Sequence, residues 1–138
     1  MIVVRLAGGL GNQIFQIGAS LLLSKKSNIK TIILDDSKLK NYGTERTNDL
    51  LSFFDFDKLE CDILWQSPKI TNLRISKFLP LKVPYYPFIS DANFQKSLSK
   101  PNPFFLFLDG YFQNCLTQTD FDYEIKILKN KMNKSFYY

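Results

Sequence analysis

At 138 residues, with 45% hydrophobic and 22% charged side chains, the chain suits one folded domain and is short for an enzyme that encloses two large substrates. A net charge of +5 points toward anions, yet fifteen of the eighteen basic residues are scattered lysines. A solvated lysine surface is therefore favoured over a nucleic-acid partner, whose arginine clusters and recognition motifs are missing.

The chain contains no histidine, and Cys61 and Cys115 lack CxxC spacing. Histidine-dependent nucleophilic catalysis and a zinc site within this chain are thereby disfavoured, and two buried thiols in a reducing cytoplasm are expected. No run reaches the roughly 18 apolar residues that span a bilayer, so a cytoplasmic protein is expected, with peripheral membrane contact left open.

In chain order, residues 2–6 are apolar and β-rich and read as a buried strand that empties into Gly8-Gly9-Leu10-Gly11. Asn12 is placed to cap the following helix, whose apolar face comprises Ile14, Phe15, Ile17, Ala19 and Leu21 to Leu23. Lys25 and Lys26 complement its carboxyl end. Residues 30–34 form a second strand, ended by Asp35-Asp36-Ser37, which completes a βαβ unit and predicts a parallel sheet. The middle is less regular: 50–56 is apolar and aromatic, 69–79 has a helical pattern, and Pro80, Pro84 and Pro87 interrupt regular structure beyond it. Residues 104–108 read as an apolar strand running into Asp109-Gly110-Tyr111-Phe112-Gln113, and a terminal amphipathic helix is expected over 119–132.

Four of the six glycines lie between Gly8 and Gly18. A glycine turn between a first strand and a helix is where α/β sheets receive phosphates, because backbone amides point outward at the positive end of the helix dipole. The spelling matches neither G-x-G-x-x-G, since Ile14 stands at the third glycine's place, nor a Walker loop. From the residues alone, ligand contact and a tight packing turn remain equally open.

The string from Val4 to Gln16, VRLAGGLGNQIFQ, closely resembles the opening of the family 11 glycosyltransferases, the α-1,2-fucosyltransferases. Leu108-Asp109-Gly110-Tyr111-Phe112-Gln113 is similar to that family's L-x-G-Y-[FW]-Q segment, and Asp35 and Arg46 are also placed as in its members. The resemblance covers the whole chain but about the first half of such an enzyme. It implies a Rossmann-like parallel sheet with flanking helices, the single acceptor-side N-terminal domain of a GT-B transferase, with the C-terminal donor-binding domain absent. The family's basic His-x-Arg motif belongs to that missing part, so the resemblance also implies an isolated chain that is a truncated, inactive form.

The activity implied is inverting transfer of fucose from GDP-fucose to the 2-hydroxyl of a galactoside, without a metal. On this reading Gly9, Gly11, Asn12 and Gln13 approach the donor phosphates. Asp35, Tyr111 and Gln113 face the acceptor side, and Asp109 is the candidate general base. Each has a plainer role beside it. Asn12 is a helix cap, Gln13 and Gln16 serve orientation or packing, Arg5 joins a structural ion pair, and Tyr111 and Phe112 are buried in the core. The alternatives are a non-catalytic carbohydrate-binding or scaffold domain and an unrelated phosphate-binding module. The transferase reading further requires the Gly8 to Gln13 and Asp109 to Gln113 segments to meet at one edge of the sheet, bordering a shallow groove.

Overall fold

A computed structural model describes residues 1–39, 50, 56–66, 88–100, 104–117 and 120. Arg46, the predicted helix over 69–79 and all of the predicted terminal helix except Asp120 lie outside these residues.

The elements run β1 (Ile2–Arg5), α1 (Leu10–Ser27), β2 (Thr31–Asp35), a short 3-10 turn (Phe56–Lys58), β3 (Asp62–Gln66), β4 (Phe88–Ile89), a second 3-10 turn (Asp91–Asn93), α2 (Phe94–Ser99) and β5 (Leu106–Leu108). All five strands pair in parallel, in the order β3-β2-β1-β5-β4. This is an α/β, Rossmann-like sheet, in agreement with the sequence reading. Two strands, β3 and β4, and the helix α2 fall in the stretch where the apolar pattern defines no element.

Period-2 alternation divides the core between the two faces of the sheet. Ile2, Val4 and Leu6, with Ile32, Leu34, Leu106 and Leu108, pack with Ile17 and Leu23 of α1 in the larger cluster. Val3, Ile33 and Phe107 form the smaller cluster with Phe88 and Phe105. Each fully buried aliphatic side chain contributes about 1.5–3 kcal/mol relative to exposure, so the face covered by α1 dominates the stability of the described core.

The helix begins earlier than expected. Gly9, extended at φ −76° and ψ 175°, is the N-cap, and the amide of Gln13 donates to its carbonyl at 3.2 Å. Asn12 therefore sits inside the first turn and is not the cap, because Gly8 at φ +77° turns the chain soon enough for Leu10 to open the helix. At the other end Asn28 adopts the left-handed conformation and its amide bonds to Ser24, with Lys25 and Lys26 in the last turn as expected. β2 is shifted by one residue from the predicted span. β5 is shorter than predicted, with Phe104 81% exposed ahead of it. No helix among the described residues is long and apolar enough to cross a membrane.

Thr117 and Asp120 exchange hydrogen bonds in the manner of a capping box, Thr117 N to Asp120 Oδ2 at 3.1 Å and Asp120 N to Thr117 Oγ1 at 3.4 Å. The side-chain bond from Thr117, followed by the backbone one, holds the Asp120 carboxyl below its ordinary range. A depressed folded-state value means that its contribution is present above about pH 4, the unfolded carboxylate range, and is lost as the pH falls further. The stability difference between the wild type and Asp120→Asn should therefore shrink with acidification below about pH 4. Urea titrations at several pH values test this, and a difference independent of pH would contradict it.

Candidate functional site

Pairing in the sheet places Arg5 opposite Asp35, and Val4 opposite Leu108, which brings Asp109 to the same carboxyl edge. Arg5 holds both carboxylates, with Nε 3.4 Å from Asp35 Oδ2 and a terminal nitrogen 3.0 Å from Asp109 Oδ2. Its guanidinium also lies 4.7 Å from the centroid of the Phe107 ring. Asp35, only 3% exposed in its side chain, is further satisfied by the amide of Ser37 at 2.9 Å. Lys38 completes the network on Asp109 Oδ1 at 2.8 Å. Both oxygens of Asp109, the candidate base, are thus engaged by cations, and Asp35 is turned into the sheet edge by its bonds to Arg5 and Ser37.

On the helix side, Gln16 is 1% exposed and spans the two motifs. Its Oε1 accepts from the amide of Ala7 at 3.1 Å, and its Nε2 donates to the carbonyl of Gly110 at 2.8 Å. A second bridge runs from the Gln113 side-chain amide to Asn12 Oδ1. The glycine turn and the Asp109 to Gln113 segment therefore meet at one edge of the parallel sheet, as the sequence reading requires. Gln13 donates to the carbonyl of Gly8 at 3.1 Å, while its buried Oε1 meets no hydrogen-bond partner among the described residues. Both glutamines orient the turn, in line with the plainer role read from the sequence.

The three glycines of the turn have different physical reasons. Gly8 has positive φ, and a Cβ there would lie 2.3 Å from Asn12 Nδ2. Gly9 supplies the extended cap. Gly11 is exposed, has ordinary φ, and a Cβ on it would meet nothing within 4 Å. Neither backbone conformation nor packing within the described residues calls for glycine at position 11. The amides of Leu10, Gly11 and Asn12, which an α-helix leaves unpaired, meet no acceptor among the described residues. No acidic residue stands in this first turn.

Phe112 and Tyr111 divide their roles. Phe112 is fully buried, 5.3 Å from the Phe94 ring, whereas Tyr111 is 44% exposed beside the exposed Gln113. One cavity among the described residues lies at the other end of the sheet. That space, about 420 Å³, is lined by Thr31, Phe56, Leu59, Cys61 and Ile63, at the amino ends of β2 and β3. Burial raises the thiol of Cys61 above its ordinary value, and likewise that of Cys115. Both are free cysteines, half-buried, in their less nucleophilic form.

No family model, no curated protein and no solved structure matches this chain. The functional argument accordingly rests on the edge itself. Two residues that contact this edge, Lys38 through Asp109 and Asp91 through the amides of Tyr111 and Phe112, have no signal in the sequence pattern. Lys38 lies in a turn after β2, and Asp91 in the proline-interrupted region, 18 residues before Asp109.

Proposed function

We propose that this chain is the acceptor-side, Rossmann-like domain of an α-1,2-fucosyltransferase-like enzyme of GT-B architecture. The observation that supports this reading is the joining of its two fucosyltransferase-like segments by Gln16 to Gly110 and Gln113 to Asn12. In the reaction, the unpaired amides of the first helical turn, with Gly9 and Asn12, would stabilise charge growing on the leaving diphosphate. Tyr111 and Gln113 would meet the galactoside, the ring through its apolar face and the amide through hydroxyls. In the ligand-free chain Asp109 anchors Arg5 and Lys38, and it would act as a base only once Lys38 is displaced. The second reading, a carbohydrate-binding domain without transfer, is favoured by the same ion pairs. Arg5 and Lys38 are both neutralised by carboxylates in the edge network, which leaves neither to balance a diphosphate.

Gly11→Ala tests the site directly. Alanine in the first turn, with open space around its Cβ, should stabilise the fold by about 0.5–1 kcal/mol. The same methyl should obstruct a close-approaching ligand. Amide spectra of the labelled chain titrated with GDP-fucose and with a methyl β-galactoside are expected to move Gly9 to Asn12 with the first, and Tyr111 and Gln113 with the second. Gly11→Ala should weaken the GDP-fucose response despite greater stability. A GDP-fucose response at Gly9 to Asn12 supports the transferase reading over the carbohydrate-binding one, and no response to methyl β-galactoside refutes both.

A further inference from the structure

Asp91 opens the 3-10 turn that precedes α2 and is exposed, yet its carboxylate is bound to backbone on the far side of β5. Oδ1 accepts from the amide of Phe112 at 2.6 Å, and Oδ2 accepts from the amide of Tyr111 at 3.1 Å. Two successive amides converge on one carboxylate, and Phe112, the second of the pair, adopts a left-handed φ of 59°, which bulky L residues rarely do. Gly110 lies against the same group, since a Cβ there would be 2.4 Å from Asp91 Oδ2. The turn carrying Asp91 is itself fixed. Asn93 Oδ1 accepts from the amide of Ser90 at 2.8 Å, and Asn93 Nδ2 donates to the carbonyl of Phe88 at 2.9 Å, which ties the turn to β4.

We propose that Asp91 is the positioning residue that shapes the candidate site. It imposes the backbone path of Gly110 to Phe112, and through it the placement of Tyr111, Gln113 and the glycine turn. The link to ligand binding rests on the proposed reading of this edge as a carbohydrate site. The physical chain is short. With the carboxylate in place, Phe112 is buried, Tyr111 and Gln113 face outward, Gly110 presents its carbonyl to Gln16, and Gln113 reaches Asn12. Asp91 touches no ligand in this scheme. A carboxylate is required because both partners are donors, and only a group with two acceptor oxygens satisfies both.

Asp91→Asn is the informative change, since it keeps one acceptor and turns the other into a donor facing an N–H. Amide spectra of wild type, Asp91→Asn and Asp91→Ala, with and without methyl β-galactoside, test the proposal, and thermal melts establish that each variant is folded. In the ligand-free spectra, Asp91→Asn should displace Tyr111 and Phe112, and also the side-chain amides of Gln113 and Gln16 and the backbone amide of Ala7. Galactoside affinity should fall about tenfold, because the binding-competent loop becomes a minority state. Val3→Ala, on the opposite face of the sheet, should lower stability while leaving affinity unchanged. Ligand-free changes confined to residues 110–112, or wild-type affinity in folded Asp91→Asn, would overturn the proposal. If the wild type does not bind the galactoside, the carbohydrate reading fails by itself, and the ligand-free displacements still decide whether Asp91 shapes the edge. Should Asp91→Ala unfold, Asp91→Asn carries the decision.

Discussion

Gln16→Leu should destabilise the chain by about 2–4 kcal/mol, although leucine is apolar and close in volume. The loss does not arise from a cavity. It arises because the amide of Ala7 and the carbonyl of Gly110 both direct their hydrogen bonds to a side chain that is 1% exposed. Leucine leaves both without a partner, and a buried polar group so abandoned costs its desolvation, about 1–3 kcal/mol each. Gln13→Met is the instructive contrast. It gives up one bond to Gly8 but also removes the buried Oε1, which meets no partner among the described residues, so the two effects oppose and a net change within about 1 kcal/mol is expected. Urea denaturation of both variants measures the difference. Equal losses at positions 13 and 16 would show that the span between the two segments is not what makes Gln16 important.

Gly110→Ala should be similarly costly, at about 2–4 kcal/mol, for a steric reason. The added Cβ would lie 2.4 Å from Asp91 Oδ2 and 3.1 Å from the Asp91 backbone nitrogen. The carboxylate can swing away, but only by releasing the amides of Tyr111 and Phe112, and the backbone nitrogen has nowhere to retreat while β4 pairs with β5. Loss of two charge-assisted bonds, partly offset by relaxation of the strained Phe112, accounts for that magnitude. The variant should also lose protection of the Tyr111 and Phe112 amides against hydrogen exchange. Unchanged protection together with a loss below about 1 kcal/mol would mean that the loop has room to move as a unit.

Much of the first 35 residues is legible because local signals agree there. An apolar run, a glycine turn, an amphipathic stretch and a second β-branched run each specify one element, and together they specify a parallel βαβ unit. The cap lies three residues ahead of its expected place. Asn12 is a good cap by propensity, but the positive φ of Gly8 starts the helix earlier and releases the Asn12 side chain to meet Gln113. β3 escapes the pattern because it is an edge strand, with Leu64 44% exposed and Ile63 and Trp65 packed on the core. Over so few residues alternation is a weak signal.

The sequence by itself determined the α/β class, the location of the glycine turn and the two segments in which a site should be sought. These follow from short-range patterns of apolar residues and glycine. Only the tertiary structure decided that β5 inserts between β1 and β4. That insertion brings Asp109 within reach of Arg5, and Gly110 within reach of Gln16, across more than 90 residues of chain. No local pattern encodes it, because strand order is selected by the burial of both faces of the sheet at once. The same holds for Asp91. Its importance lies in two amides some 20 residues away, and a carboxylate in a turn carries no mark of which backbone it will bind.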